Sequence, residues 1–133
     1  MTFRTLLLSL LLLTTLVACG GNTPQDIYIA DENDDGQTVA MTVGDAFQLS
    51  LPENRSTGYV WSIVVNDDAI LWPSGEPAYE IEGEPMPGAG GRVTFTFEAV
   101  GPGAITLELI NARPGETAVE PADTFALAVT VTQ

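Results

Sequence analysis

The sequence predicts an all-β protein, an antiparallel β-sandwich. Three observations predict it. Apolar residues alternate with polar ones over most of the chain, the runs end in turns rich in Gly, Pro and Asp, and no long stretch repeats at helical period. Strict alternation sends one face of a strand into a core and the other into water, and short strands of this kind stack as two sheets.

The first strand is expected over residues 27–30 and the second over 38–43. Between them lies Asp31-Glu32-Asn33-Asp34-Asp35-Gly36. Asp31, Asn33, Asp35 and Gly36 match the first half of an EF-hand loop, but its twelfth position, where a bidentate Glu belongs, is Thr42. An Asp-Gly pair between strand-like runs is the common mark of a hairpin turn, and a hairpin is the expectation here, with no metal.

Phe47, Leu49 and Leu51 alternate with Gln48 and Ser50 to give the third strand. The turn Asn54-Arg55-Ser56-Thr57-Gly58-Tyr59 follows, and a strand carrying Tyr59, Trp61, Ile63 and Val65 leaves it. A short strand is expected over 78–82, between loops at 73–77 and 84–91. Val93, Phe95 and Phe97 then alternate with Thr94, Thr96 and Glu98, and Ile105, Leu107 and Leu109 with Thr106 and Glu108. Phe125, Leu127, Val129 and Val131 complete the set. No internal repeat is present, and 27–133 reads as one domain.

The chain begins differently. Residues 6–13 are almost entirely leucine, with Arg4 before them and Leu16-Val17-Ala18-Cys19 after them. The run is too short to span a bilayer and reads as a signal peptide over 1–18. Its ending resembles a bacterial lipobox, in which cleavage leaves Cys19 as a lipidated N-terminus. Residues 19–26 are then a short tether. Gly20, rather than an aspartate, follows the cysteine, which resembles an outer-membrane address in the bacterial envelope.

Composition excludes several function classes. The expected mature chain, 19–133, carries three cations (Arg55, Arg92 and Arg113) against 18 acidic residues, a net charge of −15. That surface repels phosphates and anionic headgroups, so nucleic acid is excluded as a partner and the membrane is met only through the lipid. With no histidine in the chain and its one cysteine acylated, neither a Ser-His-Asp nor a Cys-His centre can form. No disulfide is available either, so burial must hold the fold. The chain is expected to be a monomer, without cofactor and without enzymatic activity. The negative charge further predicts faster capture of basic partners than of acidic ones.

All three arginines lie in or beside loops: Arg55 in the turn above, Arg92 beside Gly88-Ala89-Gly90-Gly91, and Arg113 in Asn111-Ala112-Arg113-Pro114-Gly115. If those loops share one end of the sandwich, that end is expected to be less negative than the rest.

The order of these features resembles the chagasin family of cysteine-peptidase inhibitors. The likeness runs from Asp34-Asp35-Gly36-Gln37-Thr38-Val39 through Val43-Gly44-Asp45 to the family's Asn-Pro-Thr-Thr-Gly-Tyr/Phe loop, where Asn54-Arg55-Ser56-Thr57-Gly58-Tyr59 stands, with Trp61 after it. The family's glycine-rich second loop is matched by Gly88-Ala89-Gly90-Gly91 ahead of Phe95 and Phe97, and its Arg-Pro third loop by Arg113-Pro114. Nearly all of 27–133 is covered.

The resemblance implies an immunoglobulin-like sandwich with functional loops at one end, plugging the active-site cleft of a papain-like cysteine peptidase. The implied sites are Asn54, Arg55, Ser56, Thr57, Gly58 and Tyr59 in loop 1, Gly88, Ala89, Gly90, Gly91 and Arg92 in loop 2, and Arg113, Pro114 and Gly115 in loop 3. Ser56 and Thr57 would form the tip, Gly58 would allow the turn its shape, and Tyr59 and Trp61 would anchor the loop to the core. Two positions depart from the family. Arg55 replaces a stiffening proline, and Gly115 replaces an aromatic anchor, a loss worth about 2 kcal/mol. Gly115 also favours a second reading, a non-inhibitory binding or structural module of the envelope on the same fold.

Overall fold

In a computed structural model, the structure describes residues 25–133. The expected signal peptide, Cys19 and most of the tether lie outside the described residues. Among the described residues nine strands form: β1 (Ile27–Asp31), β2 (Thr38–Thr42), β3 (Ala46–Glu53), β4 (Val60–Val65), β5 (Leu71–Pro73), β6 (Ala78–Ile81), β7 (Gly91–Ala99), β8 (Gly103–Ala112) and β9 (Asp123–Thr132). They build the expected sandwich. One sheet runs β1-β3-β7-β5, with β6 also on β7; the other runs β2-β9-β8-β4.

The alternation read from the sequence is the alternation that is buried. Phe47, Leu49 and Leu51 of β3 face Val93, Phe95 and Phe97 of β7, and across the sandwich Leu107 and Leu109 of β8 sit beside Phe125, Leu127, Val129 and Val131 of β9. The rings of Phe47 and Phe97 stack with centres 5.7 Å apart. Because each residue step switches faces, Gln48, Ser50, Thr94 and Thr96 point outward from these same strands.

The hairpin expected at 31–36 does not form. β1 pairs parallel with β3, and β2 pairs parallel with β9, so the two strands belong to different sheets and both sheets are mixed. The acidic segment is instead a crossover, wound as a 3-10 turn over Glu32–Asp34. Asp31 Oδ1 accepts from the Asn33 N–H at 2.8 Å, and Asp34 Oδ2 accepts from the Asp31 N–H at 2.9 Å. Asp35 Oδ1 accepts from the Ala126 N–H at 2.8 Å, tying the crossover to β9. Asp31 and Asp35, which resembled calcium ligands, and Asp34 between them thus serve backbone donors, as capping residues do.

Two further differences bear on the site. β5, only three residues long, arises inside a stretch that carries no alternation to read. Gly91 and Arg92, read as part of a loop, are the first residues of β7, where Gly91 pairs with both Glu53 and Ile81. Gly91 is buried, and a Cβ there would lie 2.1 Å from the Glu80 carbonyl oxygen and 2.8 Å from the Tyr79 hydroxyl. Only a residue without a side chain lets β6 approach β7 at this point.

Candidate functional site

Strand register puts the three loops at one end. Glu53, the last residue of β3, lies opposite Gly91, the first of β7, and Gly91 lies opposite Ile81, the last of β6. On the other sheet Val60, the first residue of β4, lies opposite Ala112, the last of β8. Loop 1 (54–59) therefore arches from sheet to sheet, with loop 2 (82–90) on one flank and loop 3 (113–122) on the other.

Loop 1 is a single 3-10 turn, Arg55–Thr57, and its shape follows from its residues. Asn54 is extended and caps the turn, its Oδ1 accepting from the Ser56 N–H at 3.1 Å and the Ser56 hydroxyl at 2.6 Å. The Thr57 hydroxyl donates to the Asn54 carbonyl at 2.7 Å. Gly58 ends the turn in the left-handed region, φ +82°, and its N–H donates to the Arg55 carbonyl at 3.1 Å. That conformation strains a residue with a side chain, most of all a β-branched one. Ser56 and Thr57 are left exposed at the tip.

Both flanking loops touch the arch. Asn54 Nδ2 donates to the Gly88 carbonyl at 3.3 Å, and Arg113 Nε donates to the Thr57 carbonyl at 3.3 Å. The Arg113 guanidinium also lies over the Tyr59 ring, 4.7 Å from its centre. Trp61 is buried and donates its Nε1–H to the Pro52 carbonyl at 2.8 Å, so it anchors the root of the loop as expected.

Loops 2 and 3 carry the same turn. In Met86-Pro87-Gly88-Ala89 the Ala89 N–H donates to the Met86 carbonyl at 3.0 Å, with Gly88 at φ +81°. In Arg113-Pro114-Gly115-Glu116 the Glu116 N–H donates to the Arg113 carbonyl at 3.2 Å, with Gly115 at φ +86°. Proline followed by a residue of positive φ is the pattern of a type II turn. Gly115 thus occupies a position where an aromatic would be strained, which accounts physically for the departure noted in the sequence.

Each of these three arginines is paired with a glutamate. Arg55 Nε lies 2.7 Å from Glu53 Oε1, Arg113 Nη1 lies 3.8 Å from Glu116 Oε1, and Arg92 pairs with Glu32. Arg92 also donates to the Ser50 hydroxyl at 3.0 Å and the Ser50 carbonyl at 2.7 Å, so its side chain crosses β3 instead of joining loop 2. Hydrogen bonding to Arg92 holds the Glu32 carboxyl below the usual carboxylate range, and the same bond raises Arg92.

Three residues of this end escaped the sequence reading. Glu53 is 3% exposed, the one buried charged residue among the described residues. Its signal was parity, since it continues the inward series Phe47, Leu49, Leu51. Met86 in loop 2 and Val119 in loop 3 are 64% and 57% exposed, and apolar residues standing between prolines in polar loops were their signal.

Removing the Arg113 side chain is expected to weaken any binding that needs loop 1 in this shape by roughly threefold to fivefold, the scale of one exposed cation–π contact. Thermal stability should barely move. A binding titration of Arg113→Ala checks this, and an unchanged affinity would show that loop 3 does not steady loop 1.

Comparison with known proteins gives a consistent answer. The chagasin family peptidase inhibitor profile matches residues 40–129. Amoebiasin-2 of Entamoeba histolytica is 28% identical over 111 residues, 79% of this chain and 85% of that protein. The crystal structure of the cysteine protease inhibitor EhICP2 from Entamoeba histolytica superposes with a TM-score of 0.74 at 26% identity, over 82% of this chain and 98% of that one. The structure of PbICP-C in complex with falcipain-2 shares the fold, with a TM-score of 0.51 at 17% identity over 84% and 95% of the two chains.

Proposed function

The chain belongs to the chagasin family of peptidase inhibitors, and from that premise we propose that it inhibits papain-like cysteine peptidases reversibly, one molecule to one, by filling the cleft with its three loops. The family is made of inhibitors and the chain is not an enzyme. One observation carries the three-loop reading: loop 1 is hydrogen-bonded to loop 2 through Asn54 and Gly88 and to loop 3 through Arg113 and Thr57, so the three form one continuous edge.

On this reading Ser56 and Thr57 enter the catalytic centre, and Asn54 and Gly58 fix the curve that presents them. Tyr59 is a support under Arg113. Gly88, Ala89 and Gly90 bring a low backbone ridge beside the tip, with Met86 as its apolar contact. Arg113, Pro114 and Gly115 brace the other flank, where Val119 offers apolar surface. Gly91 and Arg92 serve the scaffold. A turn fixed by its own hydrogen bonds before docking loses little entropy on binding, which favours tight and reversible association. The falcipain-2 complex of PbICP-C supports a papain-like partner.

The alternative, a non-inhibitory envelope module, is favoured by Gly115 alone. Soluble protein of residues 20–133 decides between them: reversible inhibition of papain is expected, and none at about 100 μM, an affinity below that of ordinary specific complexes, would end the inhibitory reading. We further propose that Cys19 tethers the domain by lipid to a bacterial envelope, on the strength of Leu16-Val17-Ala18-Cys19. Cys19→Ser should then shift the protein out of the membrane fraction, and retention there would refute the tether.

A further inference from the structure

The stiffness of loop 1 has a source beneath it. We infer that Glu53 is a positioning residue that clasps both ends of loop 1, and that with Arg55 it forms a brace setting the shape of the tip. The inference rests on the inhibitory reading for its consequence, though not for its geometry.

Both carboxylate oxygens of Glu53 are engaged. Oε1 accepts from Arg55 Nε at 2.7 Å, at the entry of the loop, and Oε2 accepts from the Trp61 N–H at 2.7 Å, just beyond its exit. The Arg55 guanidinium then lies over the Tyr79 ring, 4.1 Å from its centre, and the Tyr79 hydroxyl donates back to the Glu53 carbonyl at 3.4 Å. Tyr79 belongs to β6, whose end opens loop 2, so one buried carboxylate links the roots of two loops.

A buried carboxylate is costly unless paired and hydrogen-bonded. Its partners are therefore held, and the partner on the loop is the residue that begins the turn. Arg55 is turned down and sideways onto Glu53 and Tyr79, so its charge is spent on the brace and the polar tip of Ser56 and Thr57 is what remains to meet a peptidase. The proline of the family pattern that this loop resembles would stiffen the backbone by its ring; here an ion pair does so through side chains.

Position 55 is the first residue of a 3-10 turn and Asn54 before it is extended, with φ −116° and ψ 93°. A proline suits such a site, because its fixed φ fits the start of a turn and an extended residue precedes it readily. This makes the brace testable by substitution. Glu53→Gln keeps the volume and an acceptor for the Trp61 N–H, but places no charge against Arg55. Arg55→Pro in the Glu53→Gln background replaces the lost brace by a ring.

The experiment measures amide hydrogen exchange of Ser56, Thr57 and Gly58 in the free protein, together with dissociation from papain. Glu53→Gln is expected to speed exchange at these amides by about tenfold while strand amides hold, and to speed dissociation to a like degree. Adding Arg55→Pro should reverse both. Unchanged exchange in Glu53→Gln, or exchange that stays fast after Arg55→Pro, would overturn the brace. Should Glu53→Gln fail to fold, Arg55→Met cuts the same bond and leaves the carboxylate on Trp61, and is read in the same way. If the wild type does not inhibit at all, the functional reading falls, while the exchange rates still decide the brace.

Discussion

Replacing Gly58 with valine is expected to cost about a hundredfold in inhibition while the sandwich stays folded. Gly58 sits at φ +82°, and a β-branched residue there is strained by roughly 2–3 kcal/mol. Space is not the obstacle, since a Cβ at this position would meet nothing nearer than Arg113 Nε at 3.8 Å. The strain can be relieved in only one inexpensive way. Residues 55–58 are exposed and held by a few hydrogen bonds, so the turn opens while the core beneath it is undisturbed. A peptidase must then close the turn at the moment of binding, and the cost appears in the inhibition constant. Inhibition kinetics beside a thermal melt check this, and unchanged potency would remove loop 1 from the interface.

The largest effect on stability is expected at Gly91. In Gly91→Ala the new methyl group would stand 2.1 Å from the Glu80 carbonyl and 2.8 Å from the Tyr79 hydroxyl. The first of these is backbone and cannot swing aside, so β6 must part from the start of β7. A loss of about 3 kcal/mol is expected, at the upper end of the range for overpacked sites. For a domain of this size that lowers the melting temperature by roughly 10–15 °C. A shift of under about 3 °C would mean that the edge strand moves freely, and that loop 2 is less firmly based than its register implies.

How much of this was legible beforehand depends on what kind of information each feature needs. The inward series Phe47, Leu49, Leu51 and its partners Val93, Phe95, Phe97 announced the core, because a strand's buried face is written in its own alternation. Which strand lies beside which is written nowhere locally. The parallel pairing of β1 with β3 and of β2 with β9 is therefore absent from the pattern, and an Asp-Gly turn that resembled a hairpin proved to be a crossover. β5 was too short to alternate. At the site, the turn residues were legible because Gly58, Gly88 and Gly115 each occupy the backbone region that glycine favours. The pairing of Arg92 with Glu32 was not, since the two are far apart in sequence and meet only through the sheet. Glu53 was the exception that could have been read, as it stands on the inward beat of β3 and a charge there calls for a partner.

The decisive measurement is an amide exchange footprint of the chain with and without papain. A one-to-one complex is expected in which protection rises over 54–59, 86–90 and 113–119 together, while the opposite end around 66–70 and 100–102 is unchanged. Protection centred on that opposite end, or on one of the three loops alone, would contradict the account.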